Sequence, residues 1–185
     1  MSSDSLDLPS RRRMLVGALS LGVLALRAPR AAAVADLVTI ETFDAGGHSK
    51  GTQQVARIVR TDTEWRQQLS LPAYEVTRHD GTERAFSGPY DANHADGLYA
   101  CICCATVLFD SHTKFDSGTG WPSFWKPISK FNVVERGDNS FGMQRTAVVC
   151  KRCDAHLGHV FDDGPRPTGL RYCMNSVALN FLPRG

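Results

Sequence analysis

The chain has 185 residues, 42% of them hydrophobic and 22% charged, which suffices for one domain with a real core and falls short of two. Its composition excludes a disordered or collagen-like chain. The formal net charge is +2, but residues 1–35 hold five arginines against Asp4 and Asp7, a balance of +3, so the remainder carries 2 − 3 = −1. That excludes the basic footprint of a nucleic-acid binder, and no nucleic-acid partner is expected.

The first segment, SRRRMLVGALSLGVLALRAPRAAAVA, has a charged start, an apolar run from Met14 to Leu26 and small residues at its end. This is the anatomy of an export signal, and Arg11-Arg12 resembles the twin-arginine type. The run is shorter than the ~20 residues that span a bilayer. Cleavage is expected near Ala33 or Ala35, leaving an exported protein of the bacterial periplasm without a stable membrane anchor.

Beyond the leader the sequence predicts strands over Leu37–Phe43, Gln54–Arg60, Tyr74–Arg78, Gly97–Ile102, Thr106–Asp110, Thr146–Cys150 and Tyr172–Phe181. These stretches are short, rich in β-branched or aromatic residues and bounded by turn formers. One helix is marked by Thr61 as cap, Glu64 completing a capping box and Pro72 past its end. DGTERAFSGPYDANHADG reads as turn and loop. The fold class expected is mainly β and antiparallel, with a few short helices.

Six cysteines in an exported chain would ordinarily read as disulfides. Four of them instead form two C-x2-C pairs, Cys101/Cys104 and Cys150/Cys153, with 45 residues between the pairs. That spacing belongs to a structural zinc site, one ion per chain, closed by four thiolates. A rival site, Cys150, Cys153, His156 and His159, would crowd four ligands into ten residues and leave the first pair idle. A twin-arginine route carries folded proteins, so the metal could be loaded before export.

The histidines are then free for other work. Taken alone, His156 and His159 are as consistent with buried or capping side chains; their company, Asp162, Asp163 and the sixth cysteine, Cys173, points to chemistry. In a strand, Arg171, Cys173 and Asn175 share one face. An arginine beside a cysteine favours the nucleophilic thiolate, although a buried structural cysteine would fit the same pattern. In KFDSGTGWPSFW, a flexible turn delivers Trp121 ahead of Pro122, either as a plug over the core or as the wall of a pocket for a small apolar group.

GTERAFSG, KFDSGTGWPSFW, HLGHVFDDGP and RYCMNS, in this order and with both C-x2-C pairs, resemble the B-type methionine-(R)-sulfoxide reductases from about Trp65 to Pro183. The resemblance implies two antiparallel sheets with a four-cysteine zinc site, and reduction of the R epimer of methionine sulfoxide in oxidised proteins or peptides. It also implies Cys173 as nucleophile, His159 with His156 and Asp163 as the proton-donating network, Trp121 against the substrate methyl, and Arg171 and Asn175 as tuning and orienting groups. The co-substrate implied is an external thiol, of thioredoxin type or another.

Two positions depart from the family pattern. Thr119 stands where many members carry a resolving cysteine, and Ala147 where an acidic residue is expected. Cys103 is the spare thiol and a possible resolver. The chain thus divides into a leader, 1–35, an N-terminal extension, 36–60, read as a strand pair or docking surface, and a reductase domain, 61–185. A non-catalytic zinc-stabilised binding module, and a peroxide-reducing thiol enzyme built on Cys173, are the rival readings.

Overall fold

The computed structural model of the protein describes residues 36–184; the leader read in the sequence lies outside them. The described chain opens with a hairpin, β1 (Leu37–Phe43) and β2 (Ser49–Ala56), paired antiparallel. The second strand ends at Ala56, earlier than expected, and the chain then turns onto the body, where the Ile58 amide donates to the Arg152 carbonyl at 2.9 Å. Asn132 fastens the hairpin. Its Oδ1 accepts from the Glu41 amide at 2.8 Å, and its Nδ2 donates to the Glu41 and Val107 carbonyls at 2.8 and 2.7 Å.

Helix α1 (Asp62–Gln68) starts as expected, with Thr61 and Glu64 forming a reciprocal capping box. The next segment corrects the sequence reading: Tyr74–Arg78 is not a strand but part of α2 (Leu71–Arg78). Ser70 caps it through the Ala73 amide, and Pro72, read as a helix stop, stands in its first turn, where the missing N–H costs nothing. Its inner face buries Ala73, Tyr74, Val76 and Thr77.

Two further sheets form the body. One has three strands in the order β11 (Leu179–Pro183), β3 (Gly97–Cys101) and β4 (Val107–Asp110). The other has six, in the order β5 (Lys114–Phe115), β6 (Ser123–Phe124), β10 (Arg171–Met174), β9 (His156–Phe161), β8 (Arg145–Cys150) and β7 (Val133–Asp138). Every pairing is antiparallel. The mainly β class with two packed antiparallel sheets is therefore present, with the hairpin as a third, small sheet.

Aromatic residues join the two large sheets. Phe124 of β6 stacks on Phe109 of β4 at 4.5 Å between ring centroids and meets Tyr99 of β3 edge-on at 5.0 Å. The expected single strand Tyr172–Phe181 is broken into β10 and β11 by a 3-10 turn at Ser176–Ala178. The break has a cause: the Glu83 carboxylate accepts from the amides of Ser176 and Val177 at 2.6 and 3.0 Å, pulling the chain out of the first sheet. No helix among the described residues is long and apolar enough to cross a membrane.

Because Asn132 is fully buried, replacing it leaves the Glu41 backbone without partners. Asn132→Ala should cost about 2–3 kcal/mol in denaturant unfolding and raise amide exchange selectively over residues 37–56. A change below about 0.5 kcal/mol would show that the hairpin does not depend on this side chain.

Candidate active site

Strand β10 is the centre of the site because it is paired on both sides. Cys173 lies opposite His159 of β9 and opposite Ser123 of β6. The β9–β10 pair can close only because residue 158 is glycine. It has φ +157°, and a Cβ there would fall 2.1 Å from the Cys173 carbonyl oxygen.

Cross-strand partners point to one face, so Cys173 and His159 meet in one cavity of about 140 Å³, roughly four or five waters' worth of liquid. Trp121, Asn175, Arg145, Phe161 and Thr82 are among the residues that wall it. It is large enough for a small branched group such as a methyl sulfoxide.

The half-buried thiol of Cys173 is pushed up from its ordinary range by burial. The Arg171 charge, and hydrogen bonds with Thr119 and Ser123, pull the other way without prevailing. Arg171 is already committed: its Nε and Nη2 grip both oxygens of Asp163 at 2.8 and 2.7 Å, and its guanidinium lies over the Phe161 ring. Arg171 thus favours the thiolate, as its place beside the cysteine suggests, but burial outweighs it in the resting site. Asp163, expected beside the histidines, bonds Arg171 instead, since its loop runs back along β10.

The carboxylate at His159 is Asp138, which sequence reading missed. Its Oδ2 lies 2.8 Å from His159 Nε2 and 2.7 Å from Arg145 Nη2. Hydrogen bonds from Ser140, then from His159, hold the Asp138 carboxyl well below the usual carboxylate range. With Nε2 engaged, His159 keeps Nδ1 as its uncommitted ring nitrogen. His156 stacks edge-on to His159 at 5.2 Å between centroids and is 2% exposed. Its Nε2 has no hydrogen-bond partner, and its Nδ1 is 3.9 Å from Asp80. Ala147 pairs with His159 and Arg136, and the acid missing there is supplied from the adjacent strand by Asp138.

Glu83 organises the opposite wall. Its carbonyl accepts from Trp121 Nε1 at 3.1 Å, and its amide donates to Asn175 Oδ1 at 2.9 Å. With its carboxylate on the Ser176 turn, this one residue sets the indole, the amide and the end of β10. Asn175 is further fixed by donating to the Leu157 carbonyl at 3.1 Å. Thr119 Oγ1 stands 3.9 Å from Cys173 Sγ.

Away from this cavity, the sulfurs of Cys101, Cys104, Cys150 and Cys153 all lie within 4.8 Å of one another. Two of these separations are 3.6 and 3.5 Å. Tetrahedral thiolates around an ion at about 2.3 Å sit roughly 3.8 Å apart, so the four fit one closed metal site. Cys103 is buried beside them, its thiol 3.5 Å from Thr77 Oγ1, and does not line the Cys173 cavity.

A SelR domain matches residues 69–183. The peptide methionine sulfoxide reductase MsrB of Pseudomonas syringae pv. syringae is 59% identical over 128 residues, covering 69% of this chain and 98% of the relative. Those of Pseudomonas putida strain F1 and Pseudomonas fluorescens strain Pf-5 are 57% and 59% identical with the same coverage. The chain belongs to the MsrB family. Membership accounts for the four-cysteine site and the mainly β fold together. Of the residues sequence reading missed, Glu83 lies inside the family motif GTERAFSG, where its charge in a loop was a usable signal. Asp138 had none, because only the β7–β8 register carries it to His159.

Burial, reinforced by the neighbouring His159, pushes the His156 imidazole down to about 4. The other charged groups around it are Asp80, Asp138 and Arg145. The unfolded chain takes up the proton near pH 6.5 and the folded chain only near 4. Stability from the neutral ring is thus complete above pH 6.5 and lost as pH falls toward 4, by up to about 3 kcal/mol. Urea unfolding of metal-loaded protein across this window should give a shallower pH slope for His156→Gln than for the parent, and equal slopes would contradict the assignment.

Proposed function

We propose that this chain is a peptide-methionine (R)-S-oxide reductase, with Cys173 as nucleophile and His159 as the proton-donating group. The observation that carries the reading is the cross-strand pairing of Cys173 with His159 in a small cavity walled by Trp121. A sulfoxide seated there puts its methyl against the indole, its sulfur toward Cys173 and its oxygen toward His159 Nδ1. A binding module gains nothing from this arrangement.

Sulfoxide oxygen leaves poorly unless protonated, so acid assistance and thiolate attack must coincide. The half-buried thiol favours its protonated form at rest; its proton passes to His159 Nδ1 and from there to the sulfoxide oxygen, while Arg171 with the Thr119 and Ser123 hydroxyls stabilises the thiolate as it forms. Cys173 gives up two electrons and gains the oxygen as a sulfenic acid, while the substrate sulfur gains two electrons and leaves as methionine. A thiol then attacks the sulfenic sulfur, releasing water and forming a mixed disulfide, and a second thiol frees Cys173. Asp138 fixes the His159 ring, Asn175 and Trp121 hold the substrate, and His156 buttresses His159 as a neutral ring.

The reducing thiols come from outside, from a thioredoxin-like protein or a small thiol. Thr119 occupies the place from which an internal thiol could reach, and Cys103 is sequestered beside the metal cysteines. The four-cysteine site holds zinc in a structural role. Residues 1–35 direct export to the periplasm through the twin-arginine route, where oxidised envelope proteins are the substrates.

Trapping tests the sulfur chemistry. After one turnover without reductant, dimedone should add to Cys173, and Cys103→Ser should behave identically. Thr119→Cys should close a 119–173 disulfide instead and gain efficient turnover with thioredoxin. A Cys103–Cys173 disulfide in the parent would contradict the external-thiol reading. Chelation, or Cys150→Ser, should remove about one zinc per chain and lower Tm by more than about 10 °C; an unchanged Tm would remove the structural role.

A further inference from the structure

Four non-glycine residues among the described ones have positive φ: Asp80, Phe86, Ala105 and Asp154. Three are small or aspartate, types that visit the left-handed region at modest cost. Phe86 is neither; its φ is 62°, and the residue is 71% exposed. A bulky aromatic thus accepts an unfavourable backbone conformation in order to face water, a combination that packing does not reward.

The residue is nevertheless anchored to the segment that carries the cavity wall. The Phe86 amide donates to the Gly120 carbonyl at 2.8 Å, and the ring rests so closely on Gly120 that an added Cβ there would lie 2.7 Å from Phe86 Cδ2. Residue 120 immediately precedes Trp121, the cavity wall. On the Phe86 side, Thr82 lines the same cavity and the Glu83 carbonyl holds the indole N–H. Phe86 therefore stands just outside the cavity, an exposed apolar surface beside the Trp121 wall.

A cavity of about 140 Å³ suits the sulfoxide end of a methionine. The main chain and neighbouring side chains of a polypeptide substrate must lie outside, across the rim. We propose that Phe86 is the subsite for an apolar side chain next to the methionine sulfoxide of an oxidised polypeptide. This rests on the reductase reading and deepens it by setting a preference for apolar residues beside the methionine sulfoxide. A rigid, exposed ring gains contact area on binding without losing much freedom, so its benefit falls on affinity.

The test compares three substrates with metal-loaded protein and a chemical reductant: a blocked pentapeptide with central methionine-(R)-sulfoxide flanked by leucines, the same flanked by glycines, and N-acetyl-methionine-(R)-sulfoxide. The leucine peptide should exceed the glycine peptide in kcat/KM by about tenfold, chiefly through KM. Phe86→Gly and Phe86→Asn, residues at ease with positive φ, should bring that ratio close to one, with Tm within about 2 °C of the parent. Phe86→Tyr should retain the preference.

A parent ratio near one overturns the inference, as does a ratio unchanged in both variants. A large Tm loss in both variants also overturns it, because Phe86 would then be structural. If none of the three compounds is reduced, the reductase reading falls and takes the subsite with it. Reduction of all three without preference removes the subsite alone.

Discussion

The site depends on one close approach, that of β9 to β10 at Gly158. No side chain fits between residue 158 and the Cys173 carbonyl, so glycine there permits the register that sets Cys173 opposite His159. Strand pairing fixes positions in steps of one residue, and a slip of one would turn every side chain to the other face. The β8–β9 and β7–β8 registers in turn place Ala147 beside His159 and Arg145 beside Asp138, so the acid, its carboxylate and the nucleophile are set together. Chemistry that needs a thiol and a proton donor within reach of one sulfoxide is thereby built on backbone pairing, with loops supplying only the walls.

The metal cysteines hold this pairing from one end. Cys101 ends β3 and Cys150 ends β8, while Cys104 and Cys153 lie in the turns that follow. A single ion held there would tie the three-stranded sheet to the six-stranded one and fix the β8–β9 turn, from which His156 and His159 emerge. At the other wall, Glu83 does comparable work with its carbonyl, amide and carboxylate. Stability and catalysis therefore share residues, and His156, buried with an unpartnered nitrogen, is where the two conflict most openly.

Much of this was legible in the chain. The paired C-x2-C spacing identified the metal site because thiolate ligands need short, fixed separations, and the Thr61/Glu64 capping box marked α1 because its chemistry is local. What local signals could not carry was lost. Tyr74–Arg78 looked like a strand by residue type, yet Ser70 and Pro72 start a helix there and an apolar face buries it. The run Tyr172–Phe181 looked continuous, since nothing within it announces that Glu83, some ninety residues earlier in sequence, holds the Ser176 turn. For the same reason nothing local in the sequence pairs Asp138 with His159, or Asp163 with Arg171 rather than with the histidines.

The account's central claim is that Cys173 takes the oxygen from one epimer of methionine sulfoxide in a pocket whose geometry is set by β9 and β10. It is tested most directly by anaerobic incubation of the metal-loaded protein with separate R and S epimers of a blocked methionine sulfoxide, without reductant, beside Cys173→Ser. One equivalent of methionine product from the R epimer, none from S and none from the variant is the result the account predicts. Product from neither epimer with metal bound and the fold intact, or equal product from the variant, would contradict it.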